Sequence, residues 1–291
     1  MEMLKNIKMT EYTSLGIGGP ADYIYKVNDL SELKNILSKL NTEREPWRVL
    51  GKGSNILVSD HGLRCAVIIL QGRFCDITFN DNFVTACGGS LLSNVIKESI
   101  SKGFKGLENL AGIPGTIAGA VIGNAGTNDL AIGDVIEEIT CLSSDGNVSV
   151  MNKKDLRFAY RKSNLTDNMI ITSVKLRLEH ADKVSVQQRY DEQIKKRMAS
   201  QPYNMKSAGC VFKNTDDGRS AGMLIDKAGA KGLSIGAVSV SGKHANFFVC
   251  SEGAKASDFL SLIDKVKKMV KETSGAELEL EIKIWGEDNG K

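Results

Sequence analysis

A run of small residues near the middle of the chain constrains its fold more than any other feature. Residues 111 to 126 read AGIPGTIAGAVIGNAG, and nine of these sixteen positions hold glycine or alanine. One or two glycines would let a helix pack closely on a sheet, but nine exceed what filling a core requires. The segment therefore predicts a large group bound against this backbone. Within it, Gly115 and Thr116 are predicted to open a short helix that offers N–H groups to a diphosphate.

A second glycine-rich segment, GKGSNILVSDHG at residues 51 to 62, lies between two predicted strands. Its glycines would let backbone N–H groups approach a phosphate, although a plain tight turn explains the same letters. The segment is not a Walker A loop because GxxxxGK[ST] is absent, and no GxGxxG follows a strand within a βαβ unit. A P-loop and a Rossmann nucleotide site are both disfavoured.

Composition narrows the class of protein further. With 291 residues and 42% hydrophobic side chains, the chain is expected to form two or three packed units. The net charge of +3 comes from scattered lysines and arginines, so no nucleic-acid partner is expected, whereas an anionic small molecule fits. No run approaches the roughly 20 apolar residues of a membrane span, and residues 1–16 lack a signal-like apolar stretch. We expect a soluble, cytoplasmic protein with no membrane partner.

The six cysteines, at positions 65, 75, 87, 141, 210 and 250, form no CxxC pair and keep no regular spacing to the three histidines. This pattern disfavours a zinc site and a disulfide framework, so no metal is expected and the thiols are expected to be reduced. Cys210 lies in SAGCVFKN, residues 207–214, which reads as a strand with a small core thiol. Composition alone does not separate it from the other five cysteines.

The first 182 residues alternate strand-like and helical patterns. Residues 21–70 read strand, helix, strand, strand, and the helix carries apolar residues at 30, 33, 36, 37 and 40. Residues 73–182 hold a strand (DNFVTACGG), a helix predicted to be capped by Ser90 and ended by Gly103, and further β runs such as VIEEITCLSS and MIITSVKLRLE. Such a mixture is typical of α+β units.

The last third begins with the polar helical pattern QQRYDEQIKKRMASQ and closes with a helix and a strand. The closing helix is expected to end at Gly275. Its apolar face consists of Phe259, Leu262, Ile263, Val266, Met269 and Val270. The strand ELELEIKIW, residues 277–285, alternates apolar and charged side chains. Its predicted inward side chains are Leu278, Leu280, Ile282 and Ile284, and its predicted solvent-facing ones are Glu277, Glu279, Glu281 and Lys283.

Eight segments, in this order, resemble the UDP-N-acetylenolpyruvoylglucosamine reductase family, flavoenzymes of bacterial peptidoglycan precursor synthesis. The likeness runs from about residue 10 to residue 287. The segments are IGGPADY (17–23), GKGSNILV (51–58), AGIPGTIAGAVIGNAG (111–126), FAYRKS (158–163), GCVFKN (209–214), AGMLID with AGAKG (221–232), GAVSVSGKHANF (236–247) and LELEIKIWG (278–286). Eight blocks in the family's order make a coincidence very improbable.

The resemblance implies an α+β fold, with an FAD-binding core of two α+β subdomains (the PCMH-type flavin fold) followed by a C-terminal α+β substrate-binding domain. The expected divisions are residues 1–72, 73–182 and 183–291. Only TDDGRS separates FKN from AGMLID, so the chain resembles the shorter form of the family, which lacks an inserted loop with a substrate-covering tyrosine. The implied partner is a small-molecule nucleotide-sugar, and the expected state is a monomer or a weak homo-oligomer.

The resemblance also implies FAD as the cofactor and NADPH as the reductant. The expected FAD-binding residues are Gly51, Lys52, Gly53, Ser54, Asn55, Ile56, Gly112, Ile113, Pro114, Gly115, Thr116, Gly119, Asn124, Ala125 and Gly126. Three positions depart from the family pattern. Gly16 stands where a basic residue is common, NAGTND (124–129) lacks the tyrosine of NAGAYG, and Cys210 stands where serine is usual.

In the implied reaction NADPH reduces FAD, and flavin N5 then passes hydride to the methylene carbon of UDP-N-acetylglucosamine enolpyruvate, giving UDP-N-acetylmuramate. Hydride addition increases the negative charge on the substrate's carboxylate, and the α-carbon needs a proton. By their place in the family motifs, Arg161 would stabilise that charge, Glu281 would be protonated or share a proton, and Cys210 would donate the proton. A thiol, with a pKa of about 8.5, releases its proton far more readily than a serine hydroxyl.

The residues implied to bind the anionic parts of the substrate are Lys213, Asn214, Lys231 and His244. Weaker candidates for the same ligands are Arg197, Gln201, Lys243 and Asn246. Three alternatives remain open: an inactive flavin or nucleotide-sugar binding protein, a cysteine hydrolase using Cys210 with His244, and an FAD-dependent oxidoreductase acting on small alcohols or sugars. A hydrolase would leave the glycine-rich segments without a purpose.

Overall fold

The computed structural model describes residues 1–127, 129–166 and 168–286 of the chain, so that Asn128 of the NAGTND departure lies outside the described residues. The chain folds into two compact units, each assembled from separate stretches. The first unit consists of Met1–Leu4, Tyr23–Lys52 and Cys65–Lys196, and the second of Lys5–Asp22, Gly53–Arg64 and Arg197–Lys291. Both contain helices and strands, which confirms the predicted α+β class.

The regular elements are numbered along the chain. The strands are β1 (Glu2–Lys8), β2 (Pro20–Val27), β3 (Trp47–Val49), β4 (Ile56–Val58), β5 (Leu63–Leu70), β6 (Ile77–Asn80), β7 (Phe83–Cys87), β8 (Phe104–Lys105), β9 (Ile136–Ser143), β10 (Val148–Asn152), β11 (Phe158–Ala159), β12 (Lys162–Ser163), β13 (Met169–Arg177), β14 (Glu179–His180), β15 (Lys206–Cys210), β16 (Ser234–Ile235), β17 (Val238–Val240), β18 (Phe247–Cys250) and β19 (Lys283–Trp285). The α-helices are α1 (Leu30–Glu43), α2 (Leu92–Ser101), α3 (Ile117–Ile122), α4 (Lys183–Ser200), α5 (Ala221–Lys227) and α6 (Ala256–Ser274). Short 3-10 helices cover Met9–Glu11, Gly72–Cys75, Glu108–Leu110, Ile132–Asp134 and Lys153–Asp155.

A five-stranded antiparallel sheet, in the order β10-β9-β13-β7-β6, forms the centre of the first unit. Its register pairs Val174 of β13 with Ala86 on one side and with Ile139 on the other. These three side chains are fully buried, and they share one hydrophobic core with Val95 of α2 and Ile117 of α3. The small-residue segment therefore packs against this sheet through α3.

The other large sheet has the order β1-β2-β5-β3, and its β3 and β5 run parallel with Trp47 opposite Ala66. In the first unit α1 packs through Leu33, Leu37 and Leu40 into a core that also holds Ala66. These are the apolar positions predicted from the helical spacing, which confirms α1. Asp29 begins the helix by accepting the N–H of Glu32 at 2.9 Å.

Helix α2 begins differently from the prediction. Its N-cap is Leu91, without a side-chain cap, so the predicted cap at Ser90 is wrong. The Ser90 hydroxyl instead donates to the carbonyl of Asp76 at 3.3 Å, and the Ser90 carbonyl accepts the N–H of Ile117 at 2.8 Å. These contacts with distant residues outweigh the local capping preference. Gly103 follows the helix at a left-handed φ of 82°, as the stop signal predicted.

The second unit contains an antiparallel sheet in the order β15-β18-β17-β16, with α5 and α6 packed in its core. The predicted apolar face of α6 is confirmed, and Gly275 ends the helix in a left-handed conformation. The start of α6 is capped from a distant stretch of the same unit. Asp60 accepts the N–H groups of Ala256 and Ser257 at 2.8 and 2.9 Å, which satisfies two amides that a helix start leaves open.

The predicted strand at residues 277–285 is regular only at its end. β19 pairs in parallel with β4, with Lys283 opposite Ile56, whereas residue 280 makes only an isolated bridge to Phe212. The alternation of buried and exposed side chains holds for Leu278 and Ile282, which are buried. It fails for Glu281, which is half-buried rather than solvent-facing.

Among the described residues, no helix combines the length and the apolar character needed to cross a lipid bilayer.

Candidate active site

The small-residue segment folds around α3 in the first unit. Gly112 and Gly115 have φ angles of 79° and 140°, a region that favours glycine, and Thr116 is the N-cap of α3. The Thr116 hydroxyl accepts the N–H of Gly119 at 3.3 Å. The prediction that Gly115 and Thr116 open a short helix is confirmed.

One face of α3 is open enough for a bound group. Among the described residues, a Cβ on Gly119 would meet only the Thr116 hydroxyl at 3.5 Å, and one on Gly123 only the Gly119 carbonyl at 3.7 Å. Residues four apart lie on the same helical face, so the two glycines together leave a strip of bare backbone. The opposite face, with Ile117 and Val121, is fully buried. A flat group such as the ring system of FAD fits against this backbone. Side chains larger than glycine at these two positions would fill the space that such a group needs.

Three backbone N–H groups in the first turn of α3, the turn predicted to bind a diphosphate, are engaged within the protein. The N–H of Ile117 donates to Ser90 at 2.8 Å, and the N–H of Ala118 donates to Gly88 at 3.3 Å. The N–H of Gly119 is held by the Thr116 hydroxyl. These three amides are therefore not available to a diphosphate, whereas the Thr116 hydroxyl keeps a proton that it can donate.

Residues 51–55, here called the GKGS loop, contact α3 through Gly51. A Cβ on Gly51 would lie 2.6 Å from the Thr116 hydroxyl, so glycine allows the close approach of the two segments within the first unit. In the second unit, Gly53 has a φ of 63°, and a Cβ there would lie 2.0 Å from the Tyr12 carbonyl. The Gly53 carbonyl accepts the backbone N–H of Ser14 at 3.0 Å. The loop is therefore fixed at both glycines.

Asn124, a predicted FAD-binding residue, uses both ends of its side-chain amide within the first unit. Its nitrogen donates to the carbonyl of Ala159 at 3.0 Å, and its oxygen accepts the N–H of Gly133 at 3.1 Å. The residue is buried and has a left-handed φ of 40°. These contacts tie the small-residue segment to the tip of the β11–β12 hairpin.

Arg161 occupies that hairpin tip with a left-handed φ of 54°. Its Nη1 donates to the carbonyl of Gly126 at 3.2 Å, and its guanidinium lies 5.3 Å from the ring centre of Tyr160. Arg161 is half-buried, so a permanent positive charge stands beside the segment that has the open face. Within the first unit, the structure thus brings together Arg161, Asn124 and Gly126.

In the second unit a β-bulge sets the direction of Cys210. Ser207 pairs with Val249 and Cys210 with Phe247, so β15 has one more residue than β18 over this interval. Residues that lie directly opposite in a ladder share a face, which places Cys210 on the face of Ser207 and away from Ala208. Ala208 is buried, whereas Cys210 is only half-buried. The thiol predicted as a candidate proton donor is therefore turned out of the core.

Glu281 is held beside the residue that follows Cys210. Its N–H donates to the carbonyl of Val211 at 2.8 Å, and its carbonyl accepts the side-chain amide of Asn55 at 3.1 Å. The Asn55 carbonyl in turn accepts the N–H of Lys283 at 3.0 Å. The second unit thus brings together Cys210, Glu281 and the end of the GKGS loop.

Two of the predicted substrate-binding cations are engaged in ion pairs. Lys213 bonds to the carboxylate of Glu279, and Lys231 lies 2.7 Å from the carboxylate of Asp226. All four side chains reach solvent, so each pair is weak and can exchange for another anion. Asn214, the third candidate, accepts the N–H of Ala221 at 3.1 Å at the start of α5.

His244 lies next to the strand that bears Cys210. Its ring is 4.8 Å from the ring of Phe247, the residue opposite Cys210, and its Nδ1 accepts the N–H of Asn246 at 3.2 Å. Burial lowers the pKa of His244, and the charge of Lys231 lowers it further. The imidazole is therefore neutral at pH 7. Asn246 is buried and bonds to Phe212 through both ends of its amide, so it is a structural clamp.

The other cysteines differ from Cys210 in their surroundings. Burial raises the pKa of Cys141 to about 11 and that of Cys250 to about 12, which keeps both thiols protonated. Burial together with the charge of Asp76 raises the pKa of Cys75 and of Cys87. A raised pKa means that these four thiols carry less thiolate at neutral pH than an ordinary cysteine does.

Lys206 supplies a cationic side chain that sequence reasoning missed. A Cβ on Gly16 would lie 2.8 Å from Cδ and 3.0 Å from Nζ of Lys206, and Gly16 has a left-handed φ of 66°. The Lys206 side chain thus occupies the space over the position where a basic residue was expected from the family pattern. No local signal links residues this far apart in sequence. The departure at Gly16 is consistent with a charge supplied from β15.

The second unit also contains an open cavity of about 340 Å³. Its walls are formed by Met198, Pro202, Tyr203, Asn204, Met205, Ser241, Gly242 and Lys243. Lys243 donates to the carbonyl of Met198 at the end of α4. In residues 1–127, 129–166 and 168–286, no group of three or more histidine, cysteine or acidic side chains is placed to hold a metal ion.

Comparison with known proteins covers nearly the whole chain. Two family models match: one described as an FAD binding domain over residues 21–152, and one as the C-terminal domain of UDP-N-acetylenolpyruvoylglucosamine reductase over residues 201–285. The UDP-N-acetylenolpyruvoylglucosamine reductase of Heliobacterium modesticaldum is 37% identical over 97% of this chain and 90% of its own length. The enzyme of the same name from Moorella thermoacetica is 35% identical over 99% of this chain and 94% of its own.

A solved structure agrees with these sequence matches. The crystal structure of UDP-N-acetylenolpyruvylglucosamine reductase from Thermus caldophilus has a TM-score of 0.84 and 38% sequence identity to this chain. The match covers 98% of each chain. Fold and sequence therefore point in the same direction.

Proposed function

We propose, from the premise that this chain belongs to the UDP-N-acetylenolpyruvoylglucosamine reductase family, that it uses NADPH to reduce UDP-N-acetylglucosamine enolpyruvate to UDP-N-acetylmuramate. Membership makes the chain an FAD-dependent oxidoreductase of peptidoglycan precursor synthesis. The observation that supports the finer assignment best is the placement of Glu281 on the carbonyl of Val211, next to an outward-turned Cys210.

FAD would be held by the small-residue segment and the GKGS loop, chiefly along the bare backbone of Gly119 and Gly123. When bound, FAD supplies the hydride carrier between NADPH and the substrate's methylene carbon. Because the first turn of α3 is engaged internally, we assign diphosphate binding to residues 52–56 rather than to Thr116. The Asn124 side chain bonds within the protein and so would fix the shape of this segment rather than contact FAD through its amide.

Arg161 stabilises the charge that develops on the substrate's carboxylate. Its guanidinium is permanently charged and presents several N–H donors in one plane, which suits a carboxylate that is gaining charge. The Nη1 contact with Gly126 fixes the side chain before substrate arrives. A donor that is already oriented costs no reorganisation during the reaction.

Glu281 acts beside the same carboxylate. An ionised glutamate there would repel the substrate, so we assign Glu281 a protonated or proton-sharing state in the complex. Glu281 is half-buried, whereas Glu277 and Glu279 are exposed. A neutral carboxyl group donates a hydrogen bond and thereby adds to the stabilisation by Arg161.

Cys210 delivers the proton to the α-carbon. The S–H bond breaks as the C–H bond forms, and the resulting thiolate takes a proton back from solvent. The bulge at Ala208 and Gly209 directs this thiol away from the core, which a proton donor requires. The ammonium groups of Lys213 and Lys231 would exchange their carboxylate partners for the substrate's phosphates. Asn214 and His244 would bind the same substrate.

The test uses the purified protein loaded with FAD. We expect a yellow protein whose absorbance near 450 nm is bleached by NADPH under anaerobic conditions and recovers quickly only when UDP-N-acetylglucosamine enolpyruvate is added. Mass spectrometry should then show UDP-N-acetylmuramate. Recovery with oxygen or simple alcohols alone would favour a different oxidoreductase, and a protein that does not take up FAD would refute the assignment.

A further inference from the structure

Asn55 joins the GKGS loop to the residue that carries the Glu281 carboxyl group. The Asn55 side-chain nitrogen donates to the backbone carbonyl of Glu281 at 3.1 Å, and the Asn55 carbonyl accepts the N–H of Lys283 at 3.0 Å. One asparagine therefore bonds to the backbone on both sides of Ile282. The paired contacts fix the direction of the chain at Glu281.

The contact between Asn55 and Glu281 lies next to the β4–β19 ladder and extends it beyond its regular part. β4 and β19 pair regularly only from Ile56 and Lys283 onward. Just before that point, the Asn55 side chain donates to the backbone carbonyl of Glu281, in the way that a backbone N–H donates within a ladder. On the other side, the N–H of Glu281 is held by Val211. The backbone of Glu281 is thus held by hydrogen bonds on both sides.

The anchor for this contact is itself rigid. The GKGS loop turns at Gly53, whose carbonyl accepts the backbone N–H of Ser14 at 3.0 Å and its hydroxyl at 3.3 Å. The Ser14 hydroxyl also donates to the carbonyl of Ser207 at 2.7 Å, on the strand of Cys210. Asn55 is therefore carried by a loop that is tied to both strands of the candidate acid–base site.

We infer that Asn55 is a positioning residue for Glu281, which it holds in register with Cys210, in addition to any contact with FAD. The inference rests on the proposed function, because it assumes that Glu281 acts in the second half of the reaction. A catalytic group displaced by about 1 Å loses on the order of 100-fold in rate. Loss of the Asn55 donor should therefore affect the step that uses Glu281 more strongly than the step that does not.

Asn55→Ala removes the donor, Asn55→Asp replaces it with an acceptor of the same shape, and Asn55→Gln retains an amide. Because residues 52–56 are assigned to the FAD diphosphate, the variants are assayed at saturating FAD, and their rate of reduction by NADPH is the baseline against which the second half-reaction is compared. Reoxidation by UDP-N-acetylglucosamine enolpyruvate should fall by about 10- to 100-fold, with a changed pH profile. The glutamine variant should recover part of this loss. Asn41→Ala, which removes a similar amide contact to the Ser144 carbonyl, is the matched control and should behave as wild type.

A second readout is independent of turnover. In hydrogen–deuterium exchange, a peptide spanning residues 278–285 should exchange faster in Asn55→Ala, while a peptide from α6 should not change. Equal losses in both half-reactions, or unchanged exchange and unchanged reoxidation, would overturn the positioning role. A wild-type protein that fails to reoxidise with this substrate would instead refute the proposed function, so the two failures are distinguishable.

Discussion

Cys210 lies directly opposite Phe247 in the β15–β18 ladder, one residue out of step with the pair Ser207 and Val249. This offset turns the half-buried thiol to the face away from Ala208, as the proposed role of Cys210 as proton donor requires. The buried thiols of Cys141 and Cys250 have no such access.

Cys210→Ala should keep FAD binding and NADPH-driven flavin reduction but lose most enolpyruvyl reduction. General acid catalysis contributes about 100- to 10,000-fold, so the loss should lie in that range. Cys210→Ser should retain a measurable part, because a hydroxyl can donate the same proton less readily. Stopped-flow absorbance separates the two half-reactions. Cys75→Ser, an exposed cysteine of the first unit, serves as the control, and unimpaired turnover in Cys210→Ala would reject the assignment.

Arg161→Gly should separate stability from activity. Arg161 has a φ of 54°, so glycine relieves backbone strain of about 1 kcal/mol while adding a similar cost in flexibility. The free energy of unfolding should change by no more than about 1 kcal/mol, while enolpyruvyl reduction falls about 100- to 1,000-fold. Arg44→Gly is the matched control, since Arg44 has a φ of 55° at the end of α1. A variant at 161 with full activity would contradict the role of the guanidinium.

Asp60→Asn should weaken the start of α6. Burial alone would raise the pKa of Asp60, but hydrogen bonds from Ser257 and Ala256 hold it below its ordinary value. A lowered folded-state pKa stabilises the protein above the unfolded pKa of about 3.9, and this contribution is lost as the pH falls through the folded value. The variant should lose about 1 kcal/mol at pH 7 and progressively less below pH 4. Urea unfolding measures both, with Asp264→Asn on the same helix as the control.

His244→Asn should flatten the dependence of stability on pH. Burial, aided by Lys231, lowers the pKa of His244, so the unfolded chain binds more protons than the folded one as the pH falls. Stability from the neutral imidazole is complete above the unfolded pKa of about 6.5 and declines as the pH drops toward the folded value. Thermal unfolding between pH 5 and pH 8 should show a smaller slope in the variant. An unchanged slope would mean that other groups cause the pH dependence.

Alkylation should distinguish the buried cysteines. With pKa values of about 11 and about 12, Cys141 and Cys250 carry very little thiolate at pH 8. Iodoacetamide should modify them at least about 100-fold more slowly in the native protein than in the urea-unfolded chain. Peptide mapping by mass spectrometry gives the rate at each site. Rapid native labelling of either cysteine would show that the core opens around it.

Local patterns predicted the elements that depend on local residues. The helical spacing of α1 and α6 and the stop at Gly275 follow from side chains a few positions apart, and the structure confirms them. The cap of α2 was wrong because Ser90 bonds to Asp76 and Ile117, whose proximity is set by the sheet. The hydrogen bonds from the first amides of α3 also join residues that are distant in sequence, so the sequence did not predict them.

For the candidate site too, the sequence predicted what depends on local residues and not what depends on distant contacts. The motifs named Arg161, Cys210 and Glu281, but their geometry depends on contacts between residues that are distant in sequence. Gly209 was the one local sign of the bulge, since its φ of 76° needs glycine. Neither the Lys206 side chain over Gly16 nor the bond from Asn55 to Glu281 has a signature within its own segment, and only the folded structure reveals them.

The parallel pairing of β4 with β19 has a consequence for the time at which the site is completed. During synthesis, residues 53–58 leave the ribosome long before residues 283–285, which supply their only regular strand partner in the described chain. The stretches of the first unit all end by Lys196, so we expect that unit to fold while the rest of the chain is still being made. Until residues 283–285 are made, β4 cannot form its pairing with β19. We therefore expect the GKGS loop, which leads into β4, to become ordered among the last events of folding. A nascent chain stopped before residue 283 would combine a finished first unit with an unfinished loop.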